Sequence, residues 1–417
     1  MRFDTLGLSA DILRAVAEEG YSLPTPVQAR AIPLVLAGRD LLAGAQTGTG
    51  KTAAFVLPIL EQLRPHASGS YSPARHPVRA LILAPTRELA MQVAGMAAAY
   101  GRHVALRSTV VYGGVPAEPQ VKELLRGAEI LVATPGRLLD LVGQRATSLG
   151  QVQVLVLDEA DRMLDMGFLP DIRRIMALLP AGRQNLLFSA TLDAEVRRLG
   201  ATFMDDPATV EVSPPNRPAE AVRELLYPVD RERKLELLEH LVRRHRLGQA
   251  LVFTRTKVAA SRLAAALDRD GLAAVAIHSD RTQAERTRAL ADFRAGRIDI
   301  LVATDVASRG LDIEELPVVV NFELPLKPED YVHRVGRTGR AGATGLAISF
   351  ACMDEVDLLR GIQRLLRRAI PWQVEEGFVP DREAEAHPIR GLGGEGRHGS
   401  RPAHAHKLAR VRHHGSS

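Results

Sequence analysis

Only one cysteine, Cys352, occurs in the 417 residues. An intrachain disulfide is therefore excluded, and a reducing compartment fits. Nothing resembles a membrane-crossing run of apolar residues, and Met1-Arg2-Phe3-Asp4-Thr5 has no apolar signal region. The expectation is a cytoplasmic protein with no membrane partner. Aromatic residues are scarce, at 4%. A protein that grips single-stranded nucleic acid by stacking needs aromatic platforms, so backbone contacts with weak sequence preference are the expected mode for any nucleic-acid partner. Surplus acid is also missing. The net charge is +5 and the pI about 9.5, which favours an anionic partner without separating nucleic acid from a membrane surface. The length allows two or three domains, each with its own core.

One stretch organises the rest. Ala45-Gln46-Thr47-Gly48-Thr49-Gly50-Lys51-Thr52 lies between the strand-like Asp40-Leu41-Leu42-Ala43 and the helix-like Ala53-Ala54-Phe55-Val56-Leu57. A glycine-rich turn between a strand and a helix aims backbone N–H groups and a positive helix terminus at one spot, which suits a phosphate chain. In that reading Lys51 reaches the β- and γ-phosphates and Thr52 sits on Mg²⁺. The usual pattern opens with glycine where this chain has Ala45.

Upstream, Ser9 to Gly20 reads as a helix with Ser9 as its N-cap, and Val27 to Leu36 as a second. Gln28 in the latter reads, on its own, as a solvated polar residue. Downstream, Arg64 to Pro77 reads as an exposed loop. Continuous apolar runs follow at Ala80–Ala84, Ile130–Ala133, Val154–Leu157 and Leu186–Phe188. Continuity rather than alternation predicts burial on both faces, as in a parallel sheet. Helical stretches such as Arg87 to Tyr100 and Pro119 to Leu125 lie between them, so the alternation predicts a doubly wound α/β domain. Each run ends in small or polar residues: Pro85-Thr86-Arg87-Glu88, Thr134-Pro135-Gly136-Arg137, Asp158-Glu159-Ala160-Asp161 and Ser189-Ala190-Thr191. Ligands of open α/β sheets bind beyond the carboxyl ends of the strands, so these segments are expected to crowd one rim. Asp158 is the expected Mg²⁺ ligand and Glu159 the group that orients and deprotonates the attacking water. The competing reading makes this pair, or Asp161, the N-cap of the next helix.

A proline-rich stretch, Val212 to Pro218, reads as a linker, and a second α/β series follows. Its strands are expected at Ala250–Phe253, Ala274–Ile277, Ile300–Ala303, Val318–Phe322 and Leu346–Phe350, with no second phosphate loop. In His333-Arg334-Val335-Gly336-Arg337-Thr338-Gly339-Arg340, three arginines at intervals of three among glycines do not read as core. They read either as a basic surface loop or as arginine fingers for a γ-phosphate. Arg360 to Arg368 reads as a closing helix. From about Asp381 onward, glycine, arginine, histidine and proline dominate, which predicts a basic disordered tail.

Taken together, these motifs resemble the DEAD-box RNA helicases, with Asp158-Glu159-Ala160-Asp161 as the eponymous motif. The likeness runs from about Met1 to Val374, with about a dozen motifs in family order. Ala45 fits, since the family's phosphate loop normally begins with alanine. The resemblance implies that Phe3, Tyr21 and Gln28 recognise adenine, and that Ser189-Ala190-Thr191 couples hydrolysis to strand separation. It implies an RNA-backbone groove built from Pro85, Thr86, Arg87, Gly113, Gly114, Thr134, Pro135, Gly136 and Arg137 in the first domain. Thr254, Arg255, Asp280, Gln283, Arg286 and Thr304 complete that groove in the second. Asp305, Arg309, Gly310 and Asp312 match the segment that touches both the ribose end of ATP and RNA. Arg337 and Arg340 match the arginines that meet the γ-phosphate on closure. Leu6-Gly7-Leu8-Ser9 and Asp312 to Pro317 are most similar to the bacterial RhlE-type subgroup. Ser279 and Ser308 depart from the pattern, standing where glycine and alanine are usual.

The expected architecture is α/β, with two tandem RecA-like domains of mostly parallel strands: residues 1–212, a linker at 213–222, residues 223–376, and a basic tail at 377–417. The expected activity is RNA-stimulated ATP hydrolysis coupled to local duplex unwinding or RNP remodelling, with ATP and Mg²⁺ as cofactors and RNA as partner. Ribosomal precursors and RNA-decay assemblies are the family's targets; oligomeric state is not legible. Two rivals are an ATP-dependent RNA clamp or scaffold and a DNA-stimulated translocase.

Overall fold

The computed structural model describes residues 2–45, 48–212, 222–245, 247–278, 280–305, 316–339 and 345–381. Gln46, Thr47, Ser279, Ser308, Arg309, Gly310, Asp312, Arg340, most of the expected linker and nearly all of the expected tail lie outside them, as does the side chain of Gln283. The described residues divide into two compact units, the change falling between Val212 and Val222. Among them no helix is long and apolar enough to cross a membrane.

The first unit is built on seven strands: β1 (Leu41–Gly44), β2 (Ala80–Leu83), β3 (Ser108–Val111), β4 (Ile130–Ala133), β5 (Val154–Leu157), β6 (Gln184–Ser189) and β7 (Ala208–Glu211). Their spatial order is β3-β4-β2-β5-β6-β1-β7, and every pair is parallel. Helices cover both faces, so two cores form. On β2, Ala80 and Ile82 join one core while Leu81 and Leu83 join the other. The same split separates Leu41 and Ala43 from Leu42. This is why the inner strands read as unbroken apolar runs: both sides of each are buried, at about 1.5–3 kcal/mol for each large side chain.

The second unit repeats the design with β8 (Val222–Pro228), β9 (Ala250–Thr254), β10 (Ala274–Ile277), β11 (Ile300–Thr304), β12 (Val318–Asn321) and β13 (Gly345–Ala351). The order is β10-β11-β9-β12-β13-β8, again all parallel. Two expectations need correction. Val222 is not linker: it opens β8 opposite Gly345. The segment after 376 is not loose at its start either. Phe378 is buried in the core under Arg233, whose Nη1 donates to the Gly377 carbonyl at 2.6 Å, and the Asp381 N–H donates to Asp230 at 3.0 Å. The closing helix runs from Val356 to Leu366, starting earlier than expected, with Leu358, Ile362 and Leu366 buried.

Because all strands within a sheet point the same way, their carboxyl ends share one rim in each unit.

Candidate active site

The phosphate loop leaves β1 and is tied back at once, the Ala45 N–H donating to the Ser189 carbonyl at 3.0 Å. Gly50 sits at φ +87°, in the left-handed region that favours glycine, and Lys51 then opens the helix Lys51–Leu63. Gln28 is fully buried, which overturns the solvated reading. Its Oε1 accepts from the Thr25 N–H at 2.9 Å, and its Nε2 donates to the Gly50 carbonyl at 3.1 Å. A helix start 22 residues upstream thus braces the phosphate loop. Phe3 is packed in the apolar core, and Tyr21 lies edge-on to Tyr100, 6.1 Å between ring centroids.

Lys51 is only 6% exposed, and its Nζ has no hydrogen-bond partner among the described residues. A buried ammonium without a partner costs several kcal/mol. Its place at a helix N-terminus beside Gly48, Thr49 and Gly50 therefore fits an anion such as a nucleotide's phosphates.

Asp158 lies just past β5 and is buried. Burial pushes its pKa up to about 7, against the downward pull of the Lys51 ammonium. The one Lys51 ammonium does not offset the cost of burying a carboxylate here, so a divalent cation fits it. Among the described residues no three acidic, histidine or cysteine side chains cluster as a cage, so Thr52, phosphate oxygens and water would supply the remaining ligands. Asp158 Oδ1 accepts from the Glu159 N–H at 3.0 Å. Glu159 occupies the N-cap position of the helix Ala160–Asp165 at φ 52°, ψ 55°, yet its side chain caps nothing there. Asp161 does serve the helix start, its Oδ1 accepting from the first-turn N–H of Arg162 at 2.9 Å. Its Oδ2 accepts from the N–H groups of Ala190 and Thr191 at 3.1 and 3.3 Å, and its own N–H donates to Ser189 Oγ at 3.4 Å. The fourth residue of the acidic motif is therefore the lock on the Ser189-Ala190-Thr191 turn.

The three first-unit segments expected at RNA do meet. The guanidinium of Arg87 lies against Gly114, where a Cβ would come within 3.0 Å of Nη1. Gly113 donates its N–H to Thr134 Oγ1 at 3.3 Å, and Arg137 Nη2 donates to the Val115 carbonyl at 2.7 Å. Thr86 caps its helix through the Leu89 N–H, and Pro85 precedes it. Pro135 and Gly136 open the helix Pro135–Gly143.

In the second unit, Thr254 ends β9 and Thr304 ends β11, both buried, while Asp280 pairs with Lys257 at 2.8 Å. Gln283 and Arg286 lie on the helix Gln283–Arg294. Arg255 is held by Glu323, and Asp305 takes two bonds from Arg334, at 2.6 and 2.8 Å. Arg334 is 2% exposed, which corrects the expectation that none of these arginines is core. It belongs to the helix Pro328–Val335, not to a surface loop, and stacks 4.9 Å from the Phe253 ring. Arg337 is also buried, in the turn after that helix.

Residues 25–199 match the DEAD/DEAH box helicase family model, and residues 233–342 the helicase conserved C-terminal domain. The chain is 42% identical to the DEAD-box ATP-dependent RNA helicase CshA of Bacillus subtilis, over 88% of this chain and 72% of that protein. The chain belongs to the DEAD-box RNA helicases. It is also 43% identical to DEAD-box ATP-dependent RNA helicase 30 of Arabidopsis thaliana over 88% of its length, which spans 62% of that relative. Among solved structures it is similar to S. cerevisiae Dbp5 bound to RNA and ADP BeF3, with a TM-score of 0.77, 31% identity, and coverage of 91% of this chain and 95% of that one. It is likewise similar to Mss116p bound to ssRNA and AMP-PNP, at 0.80 and 28% over 90% and 80%.

Within this DEAD-box chain, Glu323 is a structural member that the sequence does not mark, while Asp161 and Arg334 hold positions beyond the N-cap and the surface or finger arginine expected of them. The spacing of Arg334 from Arg337 is a signal, since one helical turn separates them. Nothing local marks Glu323.

Proposed function

We propose that this protein is an RNA-stimulated ATPase that locally unwinds RNA duplexes or remodels RNA–protein assemblies. The observation that carries the reading is the buried Lys51 ammonium, without a hydrogen-bond partner among the described residues, at a helix N-terminus next to a buried Asp158. Lys51 and the loop N–H groups bind the phosphates of ATP, and Gln28 takes the adenine side while bracing Gly50. Thr52 and Asp158 would hold Mg²⁺, which supplies charge neutralisation at the β- and γ-phosphates. Glu159 orients the water and accepts its proton. Arg337 and Arg340 stabilise the charge that develops on the transferred phosphoryl group. Neither unit carries the whole set, which is the reason RNA stimulates turnover. Arg87, Arg137 and Arg255, with Gly113 and Gly114, grip the RNA backbone, so sequence preference is weak. A cytoplasmic location is part of the proposal, supported by the single cysteine, and ribosomal precursors or RNA-decay assemblies are the proposed targets, supported by the family resemblance. The RhlE-type subgroup is proposed on the wording around Leu6–Ser9, although relatives named CshA and DBP2 are also similar.

The test is ATP hydrolysis by the wild type and Glu159→Gln, with and without RNA. Stimulation of the wild type by RNA and poorly by DNA, with a mutant that binds ATP and RNA but turns over at background, is the expected result. DNA stimulation would favour the translocase. No stimulation, and no strand displacement, would favour the clamp.

A further inference from the structure

The carboxyl rim of the second sheet holds a chain of charged groups that the roles above leave unexplained. Lys234 is buried and donates to Glu355 Oε2 at 2.5 Å and to the Phe322 carbonyl at 2.9 Å. Glu355 is fully buried; its Oε1 accepts from the Leu324 N–H at 3.0 Å and lies 3.2 Å from Arg255 Nη1. Arg255 gives its other arm to Glu323, Nη2 to Oε1 at 3.2 Å, and its own N–H to Oε2 at 2.7 Å. The Glu323 main-chain carbonyl accepts from Arg334 Nη1 at 2.6 Å. Arg334 closes the chain on Asp305 and on Asn321 Oδ1 at 3.0 Å. Its carbonyl accepts from the N–H of Arg337 at 3.1 Å.

Glu323 is bonded to both arginines. Its carboxylate fixes Arg255, and its carbonyl fixes Arg334. Since the Glu323 N–H is pinned to the Phe253 carbonyl at 3.2 Å, the residue is held from three sides. Arg255 is 14% exposed and so keeps a solvent-facing edge, whereas Arg334 is sealed in. Ion pairs in such a setting are costly to break singly, because each loss strands a buried charge, so the members tend to move as one body.

We propose that Glu323 is a positioning residue that passes RNA contact at Arg255 to the helix Pro328–Val335 and to Arg337 in the turn after it. The proposal rests on the RNA-stimulated ATPase reading and names where the stimulation is carried within the second unit. It assigns Glu323 no contact with ATP or RNA.

The experiment is a titration of ATP turnover with RNA for the wild type, Glu323→Gln and Glu323→Asp. Expected for Glu323→Gln is a drop of about tenfold in turnover at saturating RNA, in the usual range of coupling between sites. RNA-free turnover is expected to stay within about twofold, and Glu323→Asp, which keeps the charge, to recover most of the loss. In an Arg255→Gln background, Glu323→Gln is expected to add nothing further. Three results would overturn the proposal: stimulated turnover equal to wild type, RNA-free and stimulated turnover falling by one common factor, or a change confined to RNA half-saturation. A measurement on the wild type needs no variant. RNA alone, without nucleotide, is expected to slow hydrogen exchange in the helix Pro328–Val335, and unchanged exchange with RNA bound would also overturn it. A wild type that RNA does not stimulate would instead remove the ATPase reading itself.

Discussion

Asp158 makes the nucleotide-free protein sensitive to pH in an unusual direction. Its pKa is 3.8 as a free side chain and about 7 in the fold, raised by burial. The difference of about 3.2, at about 1.36 kcal/mol per pKa unit, is about 4 kcal/mol. Because the folded value is the higher one, the stabilising contribution is complete below about pH 4 and is lost as pH rises through about 7. Between about pH 5 and about pH 8 the loss is about 2–3 kcal/mol. Asp158→Asn removes the titration and keeps the shape. Its stability relative to wild type is therefore expected to rise by about 2–3 kcal/mol over that interval. Hydrogen exchange read on the peptide spanning Val154–Leu157, in protein free of nucleotide and Mg²⁺, isolates the first unit, which a global melt of two units would not. Comparing the variants at each pH cancels the intrinsic exchange rate. A difference that stays flat with pH would refute the reasoning and mean that Lys51 alone keeps Asp158 ionised.

Two further perturbations have clear signs. Lys234→Met takes the ammonium from the fully buried Glu355 and leaves it only the Arg255 guanidinium as cationic partner, for an expected loss of about 3 kcal/mol in the second unit, at the low end for a broken buried pair, followed by denaturation with Trp372 as the fluorescence probe. Gly50→Ala places a Cβ 2.3 Å from Gln28 Nε2 at a φ of +87°. That substitution is expected to cost about 1–2 kcal/mol and to weaken ATP binding, read by fluorescent-nucleotide titration; unchanged affinity would show that the Gln28 brace is dispensable.

How far the chain could be read depends on how local each signal is. The phosphate loop and the inner strands were legible because a glycine-rich turn and an unbroken apolar run each declare themselves within a few residues. β3, β7 and β8 were not. All three are sheet edges, and their burial is patchy, as in Ala208–Glu211 where only Val210 is buried. An edge strand needs no double-sided apolar run, so its sequence looks like a loop. Gln28 looked solvated because its partner, Gly50, is 22 residues away. Arg334 looked like surface because its partners, the Asn321 amide oxygen and the Asp305 carboxylate, come from the ends of two other strands. Ser9 stands at the N-cap of its helix as expected, but it uses its main-chain N–H, bonded to Glu61 at 2.8 Å, rather than its hydroxyl. Arg340 and Asp312 lie outside the described residues, and Gln283 is described only in its backbone.

Glu159 is a non-glycine residue in a left-handed backbone conformation, at φ 52°. Such a residue forgoes about 1–2 kcal/mol that glycine would keep. Two demands thus pull this position apart: folding favours glycine or asparagine, and the role in hydrolysis proposed for Glu159 needs a carboxylate. A library varied at Glu159 and sorted for thermal resistance alone would drift toward well-folded proteins that hold ATP and never spend it. Directed evolution of this scaffold has to screen for turnover at every round, because durability and activity point to different residues here.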